Sequence, residues 1–195
     1  MYSRLLNYLT VNKILSDKQY GFDEGHSTDM ALLHMINDIT EGLDNKLFCI
    51  GIFIDLSKAF DTVDHKLLIR KLNYYGIRGI ALQWFIDYLT NRKQYISINK
   101  INSKLAPITC GVSQGSILVS MLFLIFINDI VNTSKITEFI LYADDNNLFF
   151  KDSNLNNLIL KNKKELKNIS KWFKLNQLSL NIKKQIILCS ELKIN

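Results

Sequence analysis

FILYADDNNLFF, residues 139–150, is the stretch on which the architecture turns. Apolar, β-forming residues flank two adjacent acids, which predicts strands over Glu138–Ala143 and Asn146–Lys151 meeting at Asp144-Asp145. Short acidic side chains suit such a turn. A hairpin of this kind needs a neighbour, and KLFCIGIFID, residues 46–55, supplies one. That run is nearly continuous in β-formers and apolar on both faces, as expected of a strand inside a sheet. It ends in a carboxylate, Asp55. If the two strands are adjacent, acids from distant parts of the chain meet at one end of the sheet.

Around this nucleus the sequence reads as helical. Leu5, Leu6, Leu9 and Ile14 have helical spacing, and Ser27 or Thr28 can cap a second helix running through Leu43. Asp64 is placed to cap a helix to about Tyr75 that Gly76 closes. Another helix, Ile80–Thr90, is expected to carry Trp84 and Phe85 inward. QYISINK and KLAPITCG then flank Ile101-Asn102-Ser103 as a hairpin. Ser116 to about Ile130 forms the most apolar helix. A long polar helix containing LKNKKELK and Trp172-Phe173 follows, and then a last strand around Ile186–Cys189. The fold class is α+β, a small sheet with helices on one side.

Composition narrows the function. With 195 residues, 48% of them apolar, and a single proline, the chain can bury roughly 70% of its unfolded surface, so it is not disordered. The net charge of +6 is compatible with a polyanionic partner. Cys49, Cys110 and Cys189 are far apart and odd in number, which argues for reduced core thiols and an intracellular compartment. His26, His34 and His65 have no metal-binding spacing. The N-terminus lacks a signal-peptide pattern, and Ile117–Ile127 is too short to cross a bilayer, which takes about 20 residues, so no membrane is implied. The basic stretch Lys161 to Lys167 with Lys171 is open to two readings, a track for a nucleic-acid backbone or, as alternating charges on a long helix usually mean, a water-facing surface; the second is the expectation.

The chemical signal is the acid at both strand ends. Carboxylates brought together repel unless a divalent cation sits among them, and oxygen-only ligation suits Mg²⁺ with substrate phosphates completing its shell. That pattern points to two-metal phosphoryl transfer.

FIDLSKAFDTVDH (53–65), GVSQGSILVSMLFLIFINDI (111–130) and YADD (142–145) resemble motifs A, B and C of the reverse transcriptases of non-LTR, LINE-type and jockey-like, retrotransposons, in that order and spacing. QYGFDEGHSTDMALL (19–33) is similar to the family's finger motif, and LSLNIKKQ (178–185) to motif D. The resemblance implies a right-hand palm, a small antiparallel sheet packed on helices, over residues 46–195, and partial helical fingers over 1–45. It implies an RNA-directed DNA polymerase using an RNA template, a DNA primer and deoxynucleotides, acting in nucleus and cytoplasm. Two Mg²⁺ ions, or Mn²⁺ in their place, would be held by Asp55, Asp144 and Asp145, helped by the carbonyl after Asp55. Lys184 matches the motif D general acid, with Lys183 as its rival. Lys58 and Ala59 fall where backbone N–H groups approach the triphosphate, and Phe60 at the steric gate against a ribose 2′-hydroxyl. Gln114, with Gly115 beside it, would lie against the incoming nucleotide. Asp61 and Asp64 read as local caps.

Departures from the family pattern are visible too. Ser113 replaces a proline, Val119-Ser120 a Gly-Pro, Asp23-Glu24 a basic position, and Gln185 a threonine. The remaining fingers, thumb and endonuclease of a parent polyprotein are expected to lie outside this sequence. Two alternatives follow: a catalytically inactive nucleic-acid-binding remnant or domesticated scaffold, and a group II intron-type reverse transcriptase.

Overall fold

The computed structural model describes residues 1–22, 25–90, 92–112, 117–181 and 184–190. Its centre is β1 (Phe48–Ile54). On one side β1 pairs antiparallel with β7 (Asp145–Asp152), from Phe48 opposite Asp152 to Ile54 opposite Asn146. On the other it pairs with β8 (Ile186–Ser190), also antiparallel. β6 (Glu138–Tyr142) completes the order β6-β7-β1-β8.

Helices cover both faces of this sheet. On one, Ile50, Ile52, Ile54 and Leu148 enter the main core, with α5 (Ile117–Ile127), α3 (His65–Tyr74), α1 (Tyr2–Val11) and α6 (Leu155–Leu175) supplying the rest. On the other, α2 (Thr28–Asp44) lays Ala31, Met35 and Ile39 against Ile140, Phe149, Phe53 and Tyr142. The expectation of helices on one side is therefore corrected. A central strand that is apolar on both faces must be covered on both.

α5 is buried at nearly every position, as a helix apolar all round must be. It continues as a 3₁₀ turn, Asn128–Thr133, where buried Asn128 accepts from Ser16 N at 2.8 Å and donates to Ile14 O at 2.8 Å. That satisfied amide ties the end of α1 to the core. Lys71 of α3 inserts its ammonium at the C-terminal end of α5, 2.6 Å from Asp129 Oδ1 and 4.8 Å from the ring centres of Phe126 and Trp172. The helix C-terminus, Asp129 and the two ring faces offset only part of the cost of burying this cation, and burial lowers the Lys71 pKa below its ordinary value.

Capping followed the sequence. Ser27 Oγ accepts from Met30 N at the start of α2, and Asp64 Oδ1 accepts from Leu67 N at 2.8 Å at the start of α3. Four local readings shift. The YADD turn is Ala143-Asp144, because Tyr142 pairs with Asp145, which already belongs to β7. In the exposed hairpin, β3 (Ser97–Ile98) and β4 (Ile101–Asn102) are joined by Asn99-Lys100 and not by residues 101–103. β2 (Lys93–Gln94) and β5 (Ala106–Pro107) form its base. Both turn residues have positive φ, 50° and 67°, which a two-residue hairpin turn requires and which Asn tolerates. In α4 (Gly79–Leu89), Phe85 is buried but Trp84 is 38% exposed and stacks on Tyr88, one helical turn away. Of the cysteines only Cys49 is in the core, whereas Cys110 and Cys189 are exposed.

The lysines of α6 face water, while Leu158, Ile169, Trp172 and Phe173 face the core. Among the described residues no helix is long and apolar enough to cross a membrane.

Candidate active site

Register places the acids. Ile54 lies opposite Asn146, so the next residue of that chain, Asp55, reaches the level of Asp145. Asp144 occupies the adjoining turn after Ala143, which is held at φ 54°, a conformation that costs a non-glycine residue about 1–2 kcal/mol. The Asp145 carboxyl is pushed above the usual carboxylate range, first by partial burial and then by the charges of Asp144 and Asp55. Lys184 opposes that rise. The three carboxylates and the lysine thus act on one another at one end of the sheet.

Asp55 is held from outside the sheet. Its Oδ2 accepts from Asn181 Nδ2 at 2.7 Å, and its main-chain oxygen accepts from Asn181 N at 2.9 Å. Ser57 N donates to Ser179 O at 2.8 Å, and Leu56 bridges Leu180, so residues 179–181 lie antiparallel against 55–57. Lys184 Nζ stands 3.6 Å from Asp55 Oδ2 with its side chain 69% exposed, a loose pair.

The YADD turn has a brace. Gln19, buried, accepts through Oε1 from Gly21 N at 2.8 Å and from Ala143 N at 3.1 Å. Tyr20 N donates to Leu141 O at 2.8 Å and Leu141 N to Lys18 O at 2.9 Å, which lays the chain along the free edge of β6. A Cβ on Gly21 would fall 2.4 Å from Ala143 N, so only glycine lets these backbones approach as they do. Gln19, Gly21 and Asn181 are the site-shaping residues that sequence reasoning did not single out, although all three stand inside quoted motifs.

Lys58, Ala59 and Phe60 follow Asp55 on a 3₁₀ turn, Ala59–Thr62, which Lys58 opens at φ 50°. Phe60 is half-buried, with its ring 4.5 Å from that of Phe123 and 6.5 Å from that of Phe22. Val112 N donates to Phe60 O at 2.9 Å, and Gly111 N to Val63 O at 2.8 Å. Residues 110–112 therefore run beside this turn. Gln114 and Gly115 themselves lie outside the described residues, as do Lys183, Ser113 and Asp23-Glu24. A cavity of about 470 Å³ opens on the α2 face, with Asp55, Asp145, Tyr142, Asn147, Phe53 and Lys184 in its wall. Lys58, Ala59 and Phe60 are not part of that wall.

Among the described residues no three His, Cys, Asp or Glu side chains are grouped as a ready-made metal cage. The donor set nonetheless fits a hard divalent cation: it is all oxygen, and Asp145, whose carboxyl is raised first by burial, also feels the charges of Asp144 and Asp55, which a cation among them would offset.

This fold, with acids ending adjacent strands, is that of a polymerase palm. The sequence profile of the reverse transcriptase (RNA-dependent DNA polymerase) family matches residues 1–195, and the chain belongs to that family. Its relatives are of the non-LTR retrotransposon kind. It is 30% identical over 204 residues to the probable RNA-directed DNA polymerase from transposon BS of Drosophila melanogaster, a match covering 98% of this chain and 22% of that one. It is also 30% identical over 163 residues to the RNA-directed DNA polymerase from mobile element jockey of the same species, covering 78% and 17%. The chain thus spans 22% or less of the length of these two relatives. Similar solved structures include telomerase from Candida tropicalis, in complex with a fragment of telomeric RNA, at TM-score 0.72, 13% identity and coverage of 98% and 33%. Telomerase from Candida albicans matches at TM-score 0.68, 16% identity and coverage of 94% and 34%. These relatives favour the retrotransposon reading over the group II intron alternative.

Proposed function

We propose that this chain is the catalytic core of an RNA-directed DNA polymerase of a mobile element, which joins deoxynucleotides to a DNA 3′-hydroxyl on an RNA template. Residues 1–45 would belong to the fingers and 46–195 to the palm. The observation that carries the proposal is the register that brings Asp55 level with Asp145, beside Asp144, on one sheet end.

In this reading Asp55 and Asp144, with Asp145 beside them, would hold two Mg²⁺ ions, for which Mn²⁺ could substitute. When bound, such ions neutralise phosphate charge and make the 3′-hydroxyl a better nucleophile. The protein's own part is positioning. The Gln19 brace fixes the turn that aims Asp144, and Asn181 fixes Asp55. Phe60, backed by Phe123, presents a rigid ring against a ribose 2′-hydroxyl. By the resemblance, the backbone N–H groups of Lys58 and Ala59, at the opening of the 3₁₀ turn, would approach a phosphate oxygen. By the same resemblance, Gln114 and Gly115 would lie against the incoming nucleotide. Lys184, close to Asp55, holds a proton that the departing pyrophosphate can take as its bond to the α-phosphorus breaks.

The test is Mg²⁺-dependent extension of a DNA primer on an RNA template by this chain and by an Asp144→Asn, Asp145→Asn double variant. Extension by the wild type and none by the variant is expected. Equal extension by both would refute the assignment of these acids. A second reading, a nucleic-acid-binding remnant without catalysis, is favoured by the departures from the family pattern at Ser113 and Val119-Ser120. It requires a folded wild-type chain that binds primer and template but does not extend them.

A further inference from the structure

We propose that Asn181 is a positioning residue for Asp55, selecting which carboxylate oxygen is left to a divalent cation; the inference rests on the reading of the site given above. Asn181 grips Asp55 twice, by its side-chain amide on Oδ2 at 2.7 Å and by its backbone N–H on the main-chain oxygen at 2.9 Å. The two residues are 126 apart in sequence, so the contact is made by the fold and not by a local turn. Because an ionised carboxylate only accepts hydrogen bonds, the amide must present its nitrogen and not its oxygen, which settles its orientation.

The terminal torsion of an aspartate is broad and roughly two-fold, so an untethered carboxylate exchanges its oxygens. A donor on Oδ2 removes that freedom and leaves Oδ1 as the oxygen for a metal. An amide does this without cancelling the charge a cation requires. Lys184 approaches the same oxygen at 3.6 Å but cannot substitute, being 69% exposed on a flexible stem and itself positive. The antiparallel run of 179–181 against 55–57, with its Ser57–Ser179 and Leu56–Leu180 pairings, keeps the Asn181 amide at this distance. Partners that orient metal ligands in this way typically change metal affinity by about 10–100-fold when removed.

The experiment uses the full chain with Asn181→Leu, which keeps bulk and loses the donor, and Asn181→Ala, which adds no bulk. Ser179→Ala serves as a control, because Ser179 pairs through its backbone only and its side chain is exposed. Mn²⁺ binding is followed by the electron paramagnetic resonance signal of the free ion, and folding by circular dichroism. Both Asn181 variants should bind Mn²⁺ about 10–100-fold more weakly, and Ser179→Ala should bind like the wild type. In primer extension the Mg²⁺ concentration for half-maximal rate should rise by a similar factor, while the rate at saturating Mg²⁺ changes far less. Folded Asn181 variants with Mn²⁺ affinity within about twofold of wild type overturn the inference. If the wild type binds Mn²⁺ and loses it in Asp144→Asn but not in Asn181→Leu, this inference alone fails. A wild type that binds no Mn²⁺ overturns the reading of the site and this inference with it.

Discussion

Gly21→Ala probes the brace on the YADD turn most directly. The added methyl would sit 2.4 Å from Ala143 N, 3.0 Å from Tyr142 C and 3.2 Å from Ala143 Cα, all backbone atoms that cannot rotate aside. The first distance is about 1 Å short of ordinary contact, so the Lys18–Gly21 strip or the turn must move by about that much. Movement is resisted by the Gln19 bond to Ala143 and the Tyr20 bond to Leu141. Overpacking of this kind costs about 1–3 kcal/mol, a fall in Tm of roughly 2–12 °C for a chain of this size. Asp144 is the next residue after Ala143, so the displacement is passed to the acid, and a misplacement of about 1 Å costs a polymerase site about 100-fold in rate. Urea unfolding and single-turnover primer extension on the same preparations read both effects. An unchanged unfolding midpoint with extension close to that of the wild type would refute the reasoning, since the turn would have tolerated the methyl without moving.

Other expectations concern stability and selectivity. Burial lowers the pKa of Lys71 below its ordinary 10.5 despite Asp129 beside it, so the unfolded chain binds this proton more tightly than the folded one. Stability relative to Lys71→Met should therefore rise with pH across the alkaline window that ends near 10.5, and fall again as pH drops through the folded-state value; urea titrations across pH would show it, and a difference independent of pH would exclude it. Asp64→Ala removes the cap of α3 and should cost about 1 kcal/mol, read as a shift in denaturation midpoint, with no shift counting against the Asp64–Leu67 bond. Phe60→Ala should lower discrimination against ribonucleotides by about tenfold or more in competing incorporation assays, and unaltered discrimination would make Phe60 a core residue only.

Much of the site was legible because its signals are local. Asp64 and Ser27 sit where a cap must, and β1 announces its central place by being apolar throughout. The acids that end two strands are visible from periodicity alone. The misread features have physical reasons. The exposed hairpin turns at Asn99-Lys100 because two positive φ angles are needed there, a demand that the apolar alternation on either side obscures. Trp84 stands outward because its ring stacks on Tyr88, while Phe85 alone fills the core position of that turn. The single-sided sheet was the wrong expectation, because β1 is apolar on both faces and each must be covered; α2 covers the second.

The sequence by itself determined most elements, their order and the acids at the strand ends, because capping, period and apolar runs act between residues a few positions apart; the family was legible only through the resemblance of its motifs at 53–65, 111–130 and 142–145. Only the tertiary structure decided that Asn181 holds Asp55 across 126 residues and that Gln19 holds Ala143 across 124. It also decided that Gly21 must be glycine, since what a Cβ would meet is set by which backbones the core forces together. Such contacts leave no periodic trace in the chain; they arise where sheet register and packing on both faces bring distant segments to the same end of the sheet.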